Sequence, residues 1–225
     1  MGTQLLIFDM DGVLVDVTDS YRQTIAETVK LFTGAEITNR EIQEWKNRGN
    51  ANNDWDLTAE LVSAKGGTAA KQTVVEAFQK IYLGKNNDGL IARERWLPRD
   101  GLLENLAGRF RLALFTGRER WEAEFTLSKF APGVVFDPIV GMEDVQREKP
   151  DPEGILKIVD RIKPQETFYV GDSTDDCGAA VAAQVAFIGV VDAQNPLRAE
   201  LESLFRQKGA RAVIADVNEL GRVLP

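Results

Sequence analysis

The sequence contains no histidine among its 225 residues and a single cysteine, Cys177. Without imidazole there is no Ser-His-Asp or Cys-His catalysis, no HExxH zinc site and no histidine general base. One cysteine excludes an intrachain disulfide and a cysteine-rich zinc site, and it fits a reducing compartment. Acid–base work therefore falls to carboxylates, Lys or Tyr. Any metal site must be built from oxygen, which suits hard Mg²⁺ or Ca²⁺ rather than zinc. Beside Gly178 and Ala179, Cys177 itself reads as a small buried hydrophobe rather than a reactive thiol.

Positive charge is also in short supply: 27 Lys and Arg stand against 35 Asp and Glu, for a net charge of −8. No general basic footprint for nucleic acid or an anionic membrane exists. Long hydrophobic runs are missing too. The longest nearly apolar stretch, Gly178 to Val191, contains Gln184 and is too short to span a bilayer. The opening apolar run stops at Asp9 with no basic leader before it, unlike a signal peptide. Leu6 stands where a myristoylation motif wants Ser or Thr. The expectation is a cytoplasmic protein with neither a nucleic-acid nor a membrane partner, acting as a monomer or homodimer.

What is present is enough for a folded core: 44% of residues are apolar, with four Trp and eleven Phe. Gln4–Phe8, Arg111–Phe115, Val134–Val140, Thr167–Val170, Ala186–Val191 and Ala212–Ala215 are short, apolar and bounded by turn or charged residues. They read as strands of a buried parallel sheet. Helical stripes lie between them, such as Ile155, Val159 and Ile162, or Leu197, Leu201, Leu204 and Phe205. This alternation predicts an α/β fold with a Rossmann-like, doubly wound, mainly parallel sheet.

Residues 17–97 break the pattern, showing helical periodicities and no convincing strand. Tyr21, Ile25, Val29 and Phe32 line one face ahead of Gly34, Thr38 with Glu41 makes a capping box, and Val74 to Tyr82 marks a further helix before Gly84. The predicted organisation is a core of residues 1–16 and 98–225 with an inserted all-helical domain of residues 17–97.

The chemistry-bearing residues gather at predicted strand ends. Asp9 and Asp11 lie two apart at the end of the first strand, so both side chains point the same way into the crevice beyond the sheet. Two carboxylates crowded there repel unless a cation or a proton separates them. A second strand ends in Thr116-Gly117-Arg118, offering a hydroxyl and an open amide, and a third in Gly171-Asp172-Ser173-Thr174-Asp175-Asp176. Lys149-Pro150 precedes a helix. Together these groups can hold a divalent cation against a phosphate.

In these motifs the chain resembles the haloacid dehalogenase-like hydrolases. The match is to the subfamily with an α-helical cap after the first motif, the branch of phosphoglycolate phosphatases and β-phosphoglucomutases. The residues that carry it are Asp9-Met10-Asp11-Gly12-Val13, Thr116, Lys149-Pro150 and Gly171-Asp172-Ser173 with Asp176. The resemblance implies a phosphatase acting on a small phosphate ester with Mg²⁺. Asp9 is then the nucleophile, forming an aspartyl-phosphate, and Asp11 the general acid and base. Asp172 binds the metal with the Asp9 carboxylate and the Asp11 carbonyl. Thr116 donates to a phosphoryl oxygen, and Lys149 bridges Asp9 and the phosphate. Asp176 supports the metal shell or orients Lys149, with Asp175 the neighbouring alternative.

Asp11 itself favours phosphoester chemistry, because dehalogenases lack an acid at that position. A sugar phosphomutase has nearly the same motifs and stays open as an alternative. In a different class, so does a phosphorylatable receiver-like regulator, which would hold its phosphate rather than release it. Gly117 and Arg118 are candidates for gripping the substrate phosphate, although Arg118 equally suits a cap on its turn. Asn53 belongs either to a loop that reads the leaving group or to a turn or cap in the loop ahead of a helix over Asp56–Ala64.

Overall fold

The computed structural model describes residues 4–225. Six strands form one parallel sheet: β1 (Gln4–Phe8), β4 (Arg111–Phe115), β5 (Ile139–Val140), β6 (Glu166–Gly171), β7 (Ala186–Val190) and β8 (Ala212–Ile214). Their order is β5-β4-β1-β6-β7-β8. The chain thus builds outward from β1 to one side and then returns to build to the other. β1, with β4 and β6 as neighbours, lies where the strand order reverses, and α/β sheets bind ligands at such a point. Short strands β2 (Val15–Asp16) and β3 (Arg95–Trp96) make a separate two-stranded sheet.

Alternation along the strands sorts the core. Leu5 and Ile7 of β1, Ala113 and Phe115 of β4, Tyr169 of β6 and Phe187 of β7 pack into one buried cluster. The same cluster takes Ile155 and Ile158 of α7 (Glu153–Ile162), Cys177, Ala179 and Ala180 of α8 (Thr174–Ala182), and Leu201 and Phe205 of α9 (Arg198–Gln207). The other sheet face carries buried Leu6, Phe8, Leu112, Leu114, Phe168 and Val170. Remaining core helices are α5 (Leu102–Ala107) and α6 (Arg120–Phe130). Burial of Cys177 pushes its thiol up to about 11.

One strand is much shorter than its apolar composition suggests. Of the run Val134–Val140, only Ile139–Val140 pairs with β4. Pro138 has no N–H for a ladder, the Val134 N–H closes a turn onto the carbonyl of Ala131, and Val135 points into solvent.

The chain divides into two compact units, one of residues up to Val15 with Trp96–Pro225, the other Asp16–Arg95. The sequence-based expectation puts the boundaries at 16/17 and 97/98. The second unit is built from α1 (Tyr21–Thr33), α2 (Asn39–Asn47), α3 (Asp54–Ala64) and α4 (Lys71–Leu83). Tyr21, Phe78 and Tyr82 cluster at its centre, with Tyr82 Oη donating to buried Glu94 at 2.8 Å. α1 stops at Gly34, and the Thr38–Glu41 capping box starts α2. No helix among the described residues is long and apolar enough to cross a membrane.

Candidate active site

Asp9 follows β1 directly, and its N–H continues the ladder onto the Val170 carbonyl at 2.8 Å. Phe8 pairs with Leu114 and Val170, so Asp9 falls one step further, beside Phe115 and Gly171. It shares the parity of Leu5 and Ile7 and therefore points to the sheet face covered by α7 and α8. Lys149, just ahead of α7, reaches it there: Nζ lies 2.9 Å from Asp9 Oδ1 and 2.8 Å from Asp176 Oδ1. The ammonium also lies 3.1 Å from Tyr169 Oη and 3.3 Å from the Phe115 carbonyl. Both charged partners and the lysine are buried.

Asp176 is held from every side. Its Oδ1 accepts from Lys149 and from Tyr169 Oη at 2.7 Å. Its Oδ2 accepts from Ser173 Oγ at 2.6 Å and from the amides of Ser173 and Asp172 at 3.0 and 3.2 Å. The Ser173 hydroxyl accepts in turn from the Asp176 N–H, closing a capping box at the start of α8. A buried carboxylate is tolerable only when paired and hydrogen-bonded in this way. Gly171 makes room for it, since a Cβ there would overlap the Asp176 side chain. The Ser-x-x-Asp spacing could have pointed to Asp176 rather than Asp175 in the sequence.

Asp9, Asp172 and Asp176 offer carboxylate oxygens that all lie within 4.8 Å of one another. Gly12, at φ +72°, is required beside them, because a Cβ would overlap the Asp172 carboxylate. With Asp11 there are four carboxylates against the two cations Lys149 and Arg118. Acidic groups thus outnumber the cations, in an oxygen-only donor set, which fits a hard divalent ion. Asp9 and Asp172 each bring a carboxylate oxygen to the cluster. The hydrogen bonds of Asp176 commit both of its oxygens, so it suits the layer behind the ion.

Electrostatics follow from the crowding. Burial is the largest influence on Asp9 and drives its carboxyl well above the usual range; Lys149 opposes this, while Asp176, Asp11 and Asp172 reinforce it. Burial disfavours the Lys149 ammonium, but Asp176 and Asp9 outweigh it and hold the lysine charged. Asp176 is pulled below its ordinary value despite burial, by Lys149, Ser173 and Tyr169. Tyr169 is pushed well up, first by burial and then by Asp176 and Asp9, so it stays a phenol. Sequence reasoning missed Tyr169, which looked like one more apolar residue of β6.

The remaining candidates separate. Thr116, at the end of β4, is buried, and its Oγ1 accepts from the Arg118 N–H at 3.2 Å. Gly117 lies between them on the same turn. Arg118 turns its guanidinium onto Asp11, with Nε and Nη2 2.9 and 2.5 Å from Oδ1. Asn53 lies in the helical unit. Its Oδ1 accepts from the amides of Trp55 and Asp56 at 3.0 and 3.3 Å, the helix-cap role, and α3 starts two residues before the expected 56.

Residues 6–190 match the haloacid dehalogenase-like hydrolase family. The chain belongs to that family. It is 34% identical over 227 residues to an imidazoleglycerol-phosphate dehydratase of Phytophthora nicotianae, an alignment covering 94% of this chain and 50% of the relative. The chain thus spans half the length of that curated relative. A phosphoglycolate phosphatase of Psychrobacter arcticus is 25% identical over 84% of each chain. Among solved structures, a haloacid dehalogenase-like protein of Bacteroides fragilis superposes with a TM-score of 0.74 at 26% identity, covering 97% of this chain and 99% of that one.

Proposed function

We propose that the chain is a Mg²⁺-dependent phosphatase that hydrolyses a small organic phosphate monoester by way of a phosphorylated Asp9. The carrying observation is the buried Asp9 carboxylate, held by Lys149 on one oxygen and sharing a three-carboxylate cluster at the switch point of the sheet. A carboxylate approaching a phosphate dianion at about 4 Å meets several kcal/mol of repulsion per charge pair at intermediate dielectric. Mg²⁺ held by Asp9, Asp172 and the Asp11 carbonyl, with Asp176 behind them, would supply positive charge against that repulsion.

This chain's own residues do the rest. Lys149 keeps Asp9 oriented and favours its ionised form as the carboxylate adds to phosphorus. The Thr116 hydroxyl and the Gly117 amide beyond β4 hold phosphoryl oxygens. Asp11 gives its proton to the departing alcohol, then takes one from the water that releases the phosphate. Asp176, with Tyr169 and Ser173, keeps Lys149 from swinging away.

The test is orthophosphate release from a panel of phosphoglycolate, histidinol phosphate and hexose phosphates, with Mg²⁺ or with a chelator. Multiple turnovers that require Mg²⁺ are expected with at least one ester. Asp9→Asn should lower that rate by about 10⁴-fold or more while the protein stays folded. Near-normal turnover by pure Asp9→Asn protein would remove Asp9 as nucleophile. A single phosphate retained on the protein would instead fit the receiver-like alternative, and sugar phosphate isomerised without net orthophosphate the mutase.

A further inference from the structure

Arg118 is among the largest fully buried side chains of the molecule. Every nitrogen of its guanidinium is engaged. Nε and Nη2 both donate to Oδ1 of Asp11, 107 residues away in sequence, and Nη1 lies 3.2 Å from Thr126 Oγ1. Thr126 is itself buried on α6, one turn beyond buried Glu122, so the inner face of that helix is polar where it meets the arginine. Among the described residues, Oδ2 of Asp11 accepts no hydrogen bond.

Taking a guanidinium out of water costs several kcal/mol, and a simple turn cap does not require it. A planar fork on one carboxylate oxygen fixes what a lysine could not, the plane and direction of the carboxyl group. We infer that Arg118 is a positioning residue for Asp11: it immobilises Oδ1 and leaves Oδ2 as the oxygen that exchanges protons with substrate and water. The inference rests on the reading of Asp11 as general acid and base. In the first step the Oδ2 proton passes to the ester oxygen as its bond to phosphorus breaks and the Asp9–phosphorus bond forms. In the second, Oδ2 takes a proton from water, whose oxygen bonds to phosphorus as the Asp9–phosphorus bond breaks. The other role open to Arg118, gripping the substrate phosphate, would need nitrogens that Asp11 and Thr126 already occupy.

Positioning and phosphate binding differ in how the leaving group matters. An alkyl alcohol must be protonated as it departs, whereas 4-nitrophenol leaves readily as its anion. In Arg118→Met and Arg118→Lys, kcat/KM for the best alkyl phosphate of the panel should fall about 100-fold, the cost of a misaimed group. For 4-nitrophenyl phosphate the fall should be no more than about 5-fold. Asp11→Asn should show the same split, and adding Arg118→Met to it should change little. Equal losses for both esters in the Arg118 variants, with the split intact in Asp11→Asn, would overturn the positioning role alone. If Asp11→Asn shows no split, the acid assignment fails and the inference falls with it. Should Arg118→Met not fold, Thr126→Val removes the outer hydrogen bond of the guanidinium while leaving its fork on Asp11. It should give the same split at about 3- to 10-fold, and equal losses for the two esters would overturn the role.

Discussion

The two units treat charge in opposite ways. In the sheet unit, Asp9, Lys149, Asp176 and Arg118 are all buried, and each is held by named partners around the ends of β1, β4 and β6. In the helical unit the pairs Lys30–Glu36, Arg40–Glu44 and Lys65–Glu41 sit in solvent, and Thr38 and Asn53 spend their side chains on helix starts. Its buried hydroxyls Ser20 and Thr28 have no hydrogen-bond partner among the described residues. Buried charge in the sheet unit gathers where it can serve a reaction, whereas in the helical unit Glu94 is buried against Tyr82 and stability comes mainly from apolar packing and capping. The contrast can be broken by substitutions that treat the two kinds of polar group alike.

The largest effect belongs to Lys149. Lys149→Met leaves Asp9 and Asp176 buried without their counter-charge, which should cost about 3–5 kcal/mol of stability and abolish turnover. Lys65→Ala removes an exposed partner of Glu41, a carboxyl that its hydrogen bonds with Lys65 and Thr38 hold at about 2. Such surface pairs contribute about 0–1 kcal/mol, and Lys65→Ala should stay within that range. Urea melts of both variants check the comparison. Similar losses for the two would erase the distinction between the units.

Next comes the metal-free site. Asp9 is held above the ordinary carboxylate range, so between the two values the folded chain keeps a proton that the unfolded chain has released. Stability therefore falls as pH rises through that window. Asp176 acts oppositely: its contribution is present above about 4 and lost only below it. In chelator, raising pH from about 5 to about 8 should lower the melting temperature more for wild type than for Asp9→Asn. Mg²⁺ should raise the melting temperature of wild type more than that of Asp9→Asn at the higher pH. A slope indifferent to Asp9→Asn would show that the cluster stores no such repulsion.

Much of the sheet unit is legible in the sequence because strand ends are marked by what stops them. Asp9, Thr116 and Asp172 each end an apolar run, and the doubly wound rule places such ends together. The capping box and the Gly34 stop were readable because both are local. What could not be read is contact across long separations. Nothing near Arg118 announces that it reaches Asp11, and Tyr169 in an apolar strand gives no hint that its hydroxyl meets Lys149. The overlong strand at 134–140 failed for a simpler reason, since composition outweighed the missing donor of Pro138.

The smallest expected effect tests the helical unit from the other direction. Thr28 lies inside α1 with its side chain buried, beside Ile25 and Val29 on the face that packs inward. Its hydroxyl is buried and has no partner among the described residues, unlike that of Thr24, which donates to the Ser20 carbonyl at 2.8 Å. An unpaired buried hydroxyl costs about 1–3 kcal/mol, and valine has nearly the same shape without it. Thr28→Val should therefore stabilise the protein by about 1 kcal/mol, read as a higher urea midpoint at unchanged slope. Thr24→Val breaks a made bond in the same helix and should not stabilise. If both substitutions lower the midpoint alike, the hydroxyl of Thr28 has a partner after all, and the contrast between a satisfied polar centre in the sheet unit and unsatisfied hydroxyls in the helical one no longer holds.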